Sequence, residues 1–183
     1  MNDRQLWDKG LHGVKSMLAG LPQVKMRQLT ELLTSYRREK ETLANVLLQV
    51  NSEITCRVCA GQCCLNGKYR INVLDLLSLC AEDQSLTPDF EQKPLCPYGT
   101  VSGCLMETRF RPADCILFIC DDIDVHLSGS ARSSLAAMES SLRNLLDDAS
   151  RLLGAPIATP LLLWSEKFQP IHTVKRQLNG YDQ

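Results

Sequence analysis

The chain has 183 residues, of which 44% are hydrophobic and 22% are charged, and this near-average globular composition excludes wholesale disorder. Its 20 basic and 21 acidic side chains give a net charge of −1, so the basic excess typical of nucleic-acid-binding proteins is missing. The longest apolar run covers only residues 116–120, whereas a membrane-spanning helix needs about 20 residues. Early charged residues interrupt any signal-peptide core. We therefore expect a cytoplasmic protein that binds neither nucleic acid nor membranes.

Residues 1–55 are predicted to form an N-terminal helical segment. Gly20 and Pro22 separate a first helix from a second one that begins near residue 23, since proline suits the first turn of a helix. The second helix is predicted to extend to about residue 53, because one apolar stripe runs along it: Leu29, Leu32, Leu33, Tyr36, Leu43, Val46, Leu47 and Val50. Its charged residues are interpreted as a solvated face: Arg27, Glu31, Arg37, Arg38, Lys40 and Glu41.

Residues 56–125 are predicted to form a cysteine-rich metal-binding module. The segment holds all nine cysteines, and many prolines and glycines interrupt it. Within it, only Val73–Cys80 has the pattern of a short helix with an apolar face. The remainder can bury few apolar side chains, so it needs cross-links to offset its conformational entropy. Metal–thiolate bonds would supply them.

Residues 126–183 are predicted to form a C-terminal helix and tail. The helix covers about 130–153, with Ser128 or Ser130 as its N-terminal cap and Gly154 as its C-terminal cap. In the tail, an apolar run at 161–164 is expected to dock on the protein. The predicted fold class is mainly α, with helical flanks packed around an irregular, metal-stabilised, cysteine-rich centre. The three parts are expected to form one compact unit.

The cysteines favour metal binding over a disulfide framework. Their number is odd, two of them are adjacent, and clustered thiols in a reducing compartment more often bind metal. Cys80 lies on the apolar face of the predicted helix and is interpreted as a small buried hydrophobic residue. The other eight are predicted to be metal ligands: Cys56, Cys59, Cys63, Cys64, Cys96, Cys104, Cys115 and Cys120.

The spacing leaves two cofactors open, an iron–sulfur cluster or zinc. A zinc ribbon usually has two C-x-x-C pairs, but the second half of the module has none. A proline after a ligand, as in Cys96-Pro97, is common in iron–sulfur proteins, and iron–sulfur is therefore preferred. Arg111 is the predicted cofactor-binding cation, because it precedes Pro112 and would offset the negative charge of metal thiolates. The acidic residues 121, 122 and 124 are interpreted as a solvated loop.

The order of these motifs resembles the CxxCxxCC zinc- or iron-chelating family, also called YkgJ-like cysteine-cluster proteins. The resemblance covers roughly residues 56–120. It depends on Cys56-x-x-Cys59-x-x-x-Cys63-Cys64, Asp75 in an apolar stretch, Cys96-Pro97, Gly103-Cys104, Arg111-Pro112-x-x-Cys115, Phe118 and Cys120. It implies a metal-chelating cysteine cluster. One branch of the family resembles flagellin lysine N-methylases, which carry an iron–sulfur cluster and use S-adenosylmethionine.

Three functions remain open from the sequence. The first is a metal-binding cysteine-cluster protein with a structural, redox or metal-sensing role. The second is a small iron–sulfur enzyme related to methyl transfer of the flagellin lysine N-methylase type. The third is a protein-interaction module built on the helices with a purely structural metal. Catalysis by a serine or cysteine nucleophile is not supported, because the three histidines are scattered and none lies between residues 56 and 120.

Overall fold

The computed structural model describes residues 1–59, 62–92, 96–100 and 103–167, without the side chains of Cys63 and Asn66. The α-helices in these ranges are α1 (Asp3–Ala19), α2 (Gln23–Leu48), α3 (Ser52–Val58), α4 (Val73–Cys80), α5 (Ala113–Ile116), α6 (Asp121–Asp124), α7 (Gly129–Leu153) and α8 (Leu161–Lys167). Two 3₁₀ helices, Gln62–Tyr69 and Thr108–Phe110, and an antiparallel pair of short strands, β1 (Gly99–Thr100) and β2 (Gly103–Cys104), lie between them. The prediction of a mainly helical protein is confirmed.

The two longest described helices, α2 and α7, pack against each other. Leu33 on α2 and Leu142 on α7 are among the side chains that this packing buries. An amphipathic helix gains most of its stability from burying its apolar face in this way. The predicted packing of the flanking helices is therefore confirmed.

Both predicted caps of α7 are present. The Ser128 hydroxyl accepts a hydrogen bond from the Ala131 N–H at 3.1 Å, so the helix begins at Gly129, one residue before the predicted start. At the other end, Gly154 has the left-handed conformation, with φ of 65°, that glycine adopts without a steric cost.

The second helix ends before the last residue of the predicted apolar stripe. α2 ends at Leu48, and Asn51 has a left-handed backbone with φ of 56°. Asparagine is one of the few residues that tolerate this conformation. The chain then changes direction into α3, so Val50 does not extend the stripe of α2.

The interpretation of the charged residues on α2 as a solvated face is wrong for two of them. Lys40 is fully buried and Arg37 is 8% exposed. Both reach α4: Lys40 pairs with Asp75 at 3.2 Å, and Arg37 contacts the Ser78 hydroxyl at 3.4 Å. Long basic side chains are buried here because α4 supplies polar partners.

A second group of helices, α1, α4 and α8, packs together beside α2. Gly10 permits the close approach of α1 to α8, because a Cβ at this position would overlap Ser165 and Leu161. In the tail, Leu161, Leu162 and Trp164 are buried, so the predicted docking of the run is confirmed, although Leu163 is exposed. The remaining residues of the tail, 168–183, lie outside the described residues. Within the described ranges, none of the helices is both long and apolar enough to cross a bilayer.

The cysteine-rich segment contains more helical structure than predicted. The predicted helix α4 is confirmed, but α3, α5, α6 and the two 3₁₀ helices were not expected. These elements have three to eight residues, and their apolar residues do not form a clear helical period in the sequence. The acidic residues from 121 onward begin a short helix, not the predicted loop.

Candidate metal centre

A short hairpin brings Cys96 and Cys104 to the same end of two strands. Cys96 precedes β1, and Cys104 is paired with Gly99 across the two strands. The N–H of Gly99 donates to the Cys96 carbonyl at 2.8 Å, and the N–H of Leu105 donates to the Tyr98 carbonyl at 2.8 Å. These backbone bonds fix the two cysteines beside each other.

Backbone amides point at both of these sulfurs. The N–H of Tyr98 lies 3.4 Å from Cys96 Sγ, and the N–H of Met106 lies 3.5 Å from Cys104 Sγ. In each case the donor is the second residue after the cysteine. Hydrogen bonds to sulfur stabilise thiolates and tune metal centres, so both turns suit a cysteine that carries negative charge.

Cys115 joins the hairpin cysteines from α5. Pro112 precedes this helix and accepts a hydrogen bond from the Cys115 N–H at 2.9 Å. Burial raises the pKa of the Cys115 thiol, Arg70 lowers it, and the negative charges of Asp75, Cys104 and Cys96 raise it again. We call these three residues, the hairpin cysteines Cys96 and Cys104 together with Cys115 of α5, the three-thiol cluster.

The 3₁₀ helix Gln62–Tyr69 packs directly on this cluster. A Cβ at Gly67 would overlap Cys96 Sγ, so only glycine permits this contact. Burial raises the pKa of the Cys96 thiol, and the Tyr98 amide lowers it. The same 3₁₀ helix carries the adjacent cysteines of the first motif. Cys64 is exposed, and the side chain of Cys63 lies outside the described residues.

The other predicted ligands lie in a different part of the module. Cys56 and Cys59 are on α3, where the Cys59 thiol donates to the Cys56 carbonyl at 3.4 Å. α3 packs against α6, whose N-terminal cap residue is Cys120. Between these helices is an open groove of about 530 Å³, lined by Ile54, Thr55, Val58, Cys59, Gln62, Asp122, Val125 and His126.

The predicted ligands do not form a closed coordination shell in the described structure. Among the residues that it describes, no three histidine, cysteine, aspartate or glutamate side chains are placed to hold one metal ion. Cys80, predicted not to be a ligand, lies half-buried on α4 and contacts the hydrophobic core. Burial raises the pKa of its thiol.

Arg111 contacts the backbone near the three-thiol cluster. Its Nε donates to the Met106 carbonyl at 3.2 Å, and its own carbonyl accepts a hydrogen bond from Lys40 Nζ at 2.8 Å. The sequence prediction assigned Arg111 to the cofactor, and this assignment stays a prediction. Arg70, whose charge acts on Cys96 and Cys115, is the cation that interacts with the thiols.

Sequence reasoning missed Tyr98. This side chain is 1% exposed, and its hydroxyl has no hydrogen-bond partner among the described residues. Burial raises the pKa of Tyr98, and the negative charges of Cys96 and Cys115 raise it further. A buried hydroxyl without an acceptor is costly, and here it lies within electrostatic range of two thiols. Its position two residues after Cys96 is the only signal for it in the sequence.

The donor atoms of the three-thiol cluster are of a kind that binds metal, although within the described residues they are not placed to hold one ion. Thiolates bind zinc and iron–sulfur clusters, two of the sulfurs accept amide hydrogen bonds, and the Tyr98 hydroxyl is an available buried donor. The chain matches no protein-family model, no curated protein and no solved structure. The resemblance to the cysteine-cluster family therefore stays a prediction.

Proposed function

We propose that the protein is a metal-binding cysteine-cluster protein with a structural, redox or metal-sensing role. The observation that carries the proposal is the pair of hairpin cysteines, Cys96 and Cys104, whose sulfurs each accept a hydrogen bond from a backbone amide. A bound metal ion would stabilise the thiolate forms of these cysteines. The remaining ligands would be Cys56, Cys59, Cys63, Cys64 and Cys120.

The proposed cofactor is an iron–sulfur cluster, with zinc as the alternative. Both take thiolate ligands and leave the site negatively charged. Arg70 supplies compensating positive charge, and the amides of Tyr98 and Met106 supply donors to sulfur. The order of the cysteine motifs, with Cys96-Pro97 and without a second C-x-x-C pair, favours the iron–sulfur form.

A cytoplasmic location is part of the proposal. Within the described ranges, the thiols of Cys80, Cys96, Cys104 and Cys115 are free rather than joined in disulfides. Thiols stay reduced and available to metals in a reducing compartment. The near-zero net charge gives no support to nucleic acid as a partner.

The direct test is anaerobic purification followed by a visible spectrum and analysis of iron, sulfide and zinc. We expect bound metal in the wild-type protein. Cys104→Ser and Cys115→Ser should each lose most of it, because each removes one thiolate from the coordination shell. Cys80→Ser is the matched control and should keep its metal.

Two results would contradict the proposal. One is a wild-type protein that contains neither iron nor zinc after anaerobic isolation and does not take up either metal on reconstitution. The other is unchanged metal content in both Cys104→Ser and Cys115→Ser. Loss of metal from Cys80→Ser would contradict the ligand assignment.

A further inference from the structure

A fully buried ion pair joins α2 to α4. Lys40 Nζ is 3.2 Å from Asp75 Oδ1, and both side chains are completely buried. The Tyr36 hydroxyl donates to the same carboxylate oxygen at 2.9 Å, and the Lys40 ammonium lies 4.4 Å from the centre of the Tyr36 ring. Burial lowers the pKa of Lys40 and raises that of Asp75, and the attraction between the two charges opposes both shifts.

Lys40 also connects this pair to the cysteine-rich segment. Its Nζ donates to the Arg111 carbonyl at 2.8 Å, four residues before Cys115. The Arg111 side chain donates to the Met106 carbonyl at 3.2 Å, and the Met106 N–H points at Cys104 Sγ at 3.5 Å. A continuous set of hydrogen bonds therefore runs from Lys40 through Arg111 to Cys104, while the main chain continues from Arg111 to Cys115.

Asp75, the other partner of the ion pair, is also held in place by hydrogen bonds. Asp75 Oδ2 accepts a hydrogen bond from the Asn72 N–H at 3.2 Å, and the Asn72 side chain accepts one from the Asp75 N–H at 2.8 Å. This reciprocal arrangement caps the first turn of α4. Asp75 is thus held by its own helix, and Lys40 is held by Asp75.

The stability of the fold does not by itself explain why position 40 is a lysine. Replacing a buried ion pair by apolar residues of similar size is often neutral or stabilising, because desolvation offsets most of the attraction. An apolar residue could not donate to the Arg111 carbonyl. The specific contribution of Lys40 is its hydrogen bond to the Arg111 carbonyl, which lies between the proposed ligands Cys104 and Cys115 in the sequence.

We propose that Lys40 and Arg111 are positioning residues that set the separation of Cys104 and Cys115 for metal binding. This inference rests on the proposed metal-binding function. Lys40 fixes the main chain at Arg111, and the Arg111 side chain fixes the turn that presents Cys104. Residues that orient metal ligands from outside the coordination shell typically contribute 10- to 100-fold to metal affinity.

The test measures Co²⁺ binding to the reduced, metal-free, full-length chain through the thiolate-to-cobalt absorption. Two variants remove the contacts without leaving an unpaired buried charge: Arg111→Met, and the double variant Lys40→Met with Asp75→Asn. We expect each to bind Co²⁺ about 10- to 100-fold more weakly, with an altered absorption band. The altered band reports ligand geometry, which a loss of stability alone would not change.

Two controls separate positioning from general destabilisation. Arg109→Met removes a neighbouring arginine, whose Nε contacts the Glu107 carboxylate at 3.1 Å, and should bind Co²⁺ like the wild type. Leu142→Ala leaves a cavity in the α2–α7 packing and should lower the melting temperature, with unchanged cobalt affinity and absorption.

Each possible result shows which of the two proposals is wrong, the positioning role or the metal site. If Arg111→Met and the double variant bind Co²⁺ within twofold of the wild type and with the same band, the positioning role is wrong and the metal site stands. A similar loss of affinity in Leu142→Ala would also overturn the positioning role. If the wild type binds Co²⁺ no better than a chain carrying both Cys104→Ser and Cys115→Ser, the proposed thiolate site itself is wrong.

Discussion

Cys104 and Cys115 differ in their surroundings. Cys104 is exposed, whereas Cys115, on α5, is half-buried. Burial raises the pKa of the Cys115 thiol above its usual range. The nucleophile in thiol alkylation is the thiolate, so the two cysteines should be distinguishable by their reactivity.

We predict that iodoacetamide modifies Cys104 before Cys115 in the reduced, metal-free protein at pH 8. A raised pKa leaves less thiolate at that pH, and the fraction grows as the pH rises. The rate at Cys115 should therefore be low at pH 8 and should increase as the pH rises to 10. Peptide mass spectrometry over time measures both rates. Equal rates for the two residues throughout this range would contradict the described environment of Cys115.

Lys40 shows what residue-level sequence reasoning can and cannot predict. Its charge led to the interpretation as a solvated residue, yet position 40 follows Tyr36 by four residues and precedes Leu43 by three, so it continues the buried stripe. That spacing was a usable signal. The partner was not predictable in the same way, because Asp75 lies 35 positions away in the sequence and only tertiary packing brings it to Lys40.

At the scale of elements, the end of α7 depends on one glycine. Gly154 has a positive φ, and no atom lies within 4 Å of the place that a Cβ would occupy. Any cost of a side chain there must therefore come from the backbone conformation and not from a steric clash with the surroundings.

We predict that Gly154→Ala destabilises the protein by about 1 kcal/mol, which corresponds to a decrease of about 2–4 °C in melting temperature for a chain of this size. Gly129→Ala is the matched control, because Gly129 also has open space around it but lies in the first turn of the same helix. It should be neutral or slightly stabilising. Thermal denaturation followed by circular dichroism compares the two, and an equal effect of both changes would contradict the cap.

Elements with a clear period or cap were predictable, and the short ones were not. α4 and α7 agree with the sequence prediction because their apolar residues recur at helical spacing. α5 and α6 have only four residues each, and their positions depend on packing with α2 and α3. Asn51 ends the stripe of α2 through its backbone conformation, which apolar spacing does not encode.

For the whole molecule, the packing of α2 against α7 joins its two longest described helices. Leu142 is fully buried in it, whereas Leu32 is half-buried at its edge. Because Leu142 is fully buried, a charge at this position would have to be desolvated. The energetic importance of the two positions should therefore differ.

We predict that Leu142→Asp destabilises the protein by about 4 kcal/mol or more, and that Leu32→Asp has a smaller effect. Arg38→Ala and Ser133→Ala, at exposed positions of the same two helices, should change the stability by less than about 0.5 kcal/mol. Urea denaturation measures the free energy of unfolding of all four. Similar values for Leu142→Asp and Arg38→Ala would exclude the described packing.

In the candidate site too, some features were predictable from the sequence pattern, whereas others depend on tertiary packing. The sequence indicated which cysteines differ from Cys80, because their surroundings are rich in breakers. It did not indicate that Cys96, Cys104 and Cys115 associate while Cys56 and Cys59 lie on α3 near α6. That grouping follows from strand pairing and from helix contacts between distant segments. Neither kind of contact produces a periodic pattern of residues in the sequence.

The packing of α2 on α7 can form only late during synthesis of the chain, because α7 is made long after α2. About 100 residues separate the end of α2 from the end of α7, and at 5–20 residues per second a ribosome needs about 5 to 20 s to make them. During that interval, the apolar face of α2 is without the helix that covers it. The nascent chain therefore passes through a stage in which α2 is exposed to aggregation or chaperone binding, before the completed chain covers it.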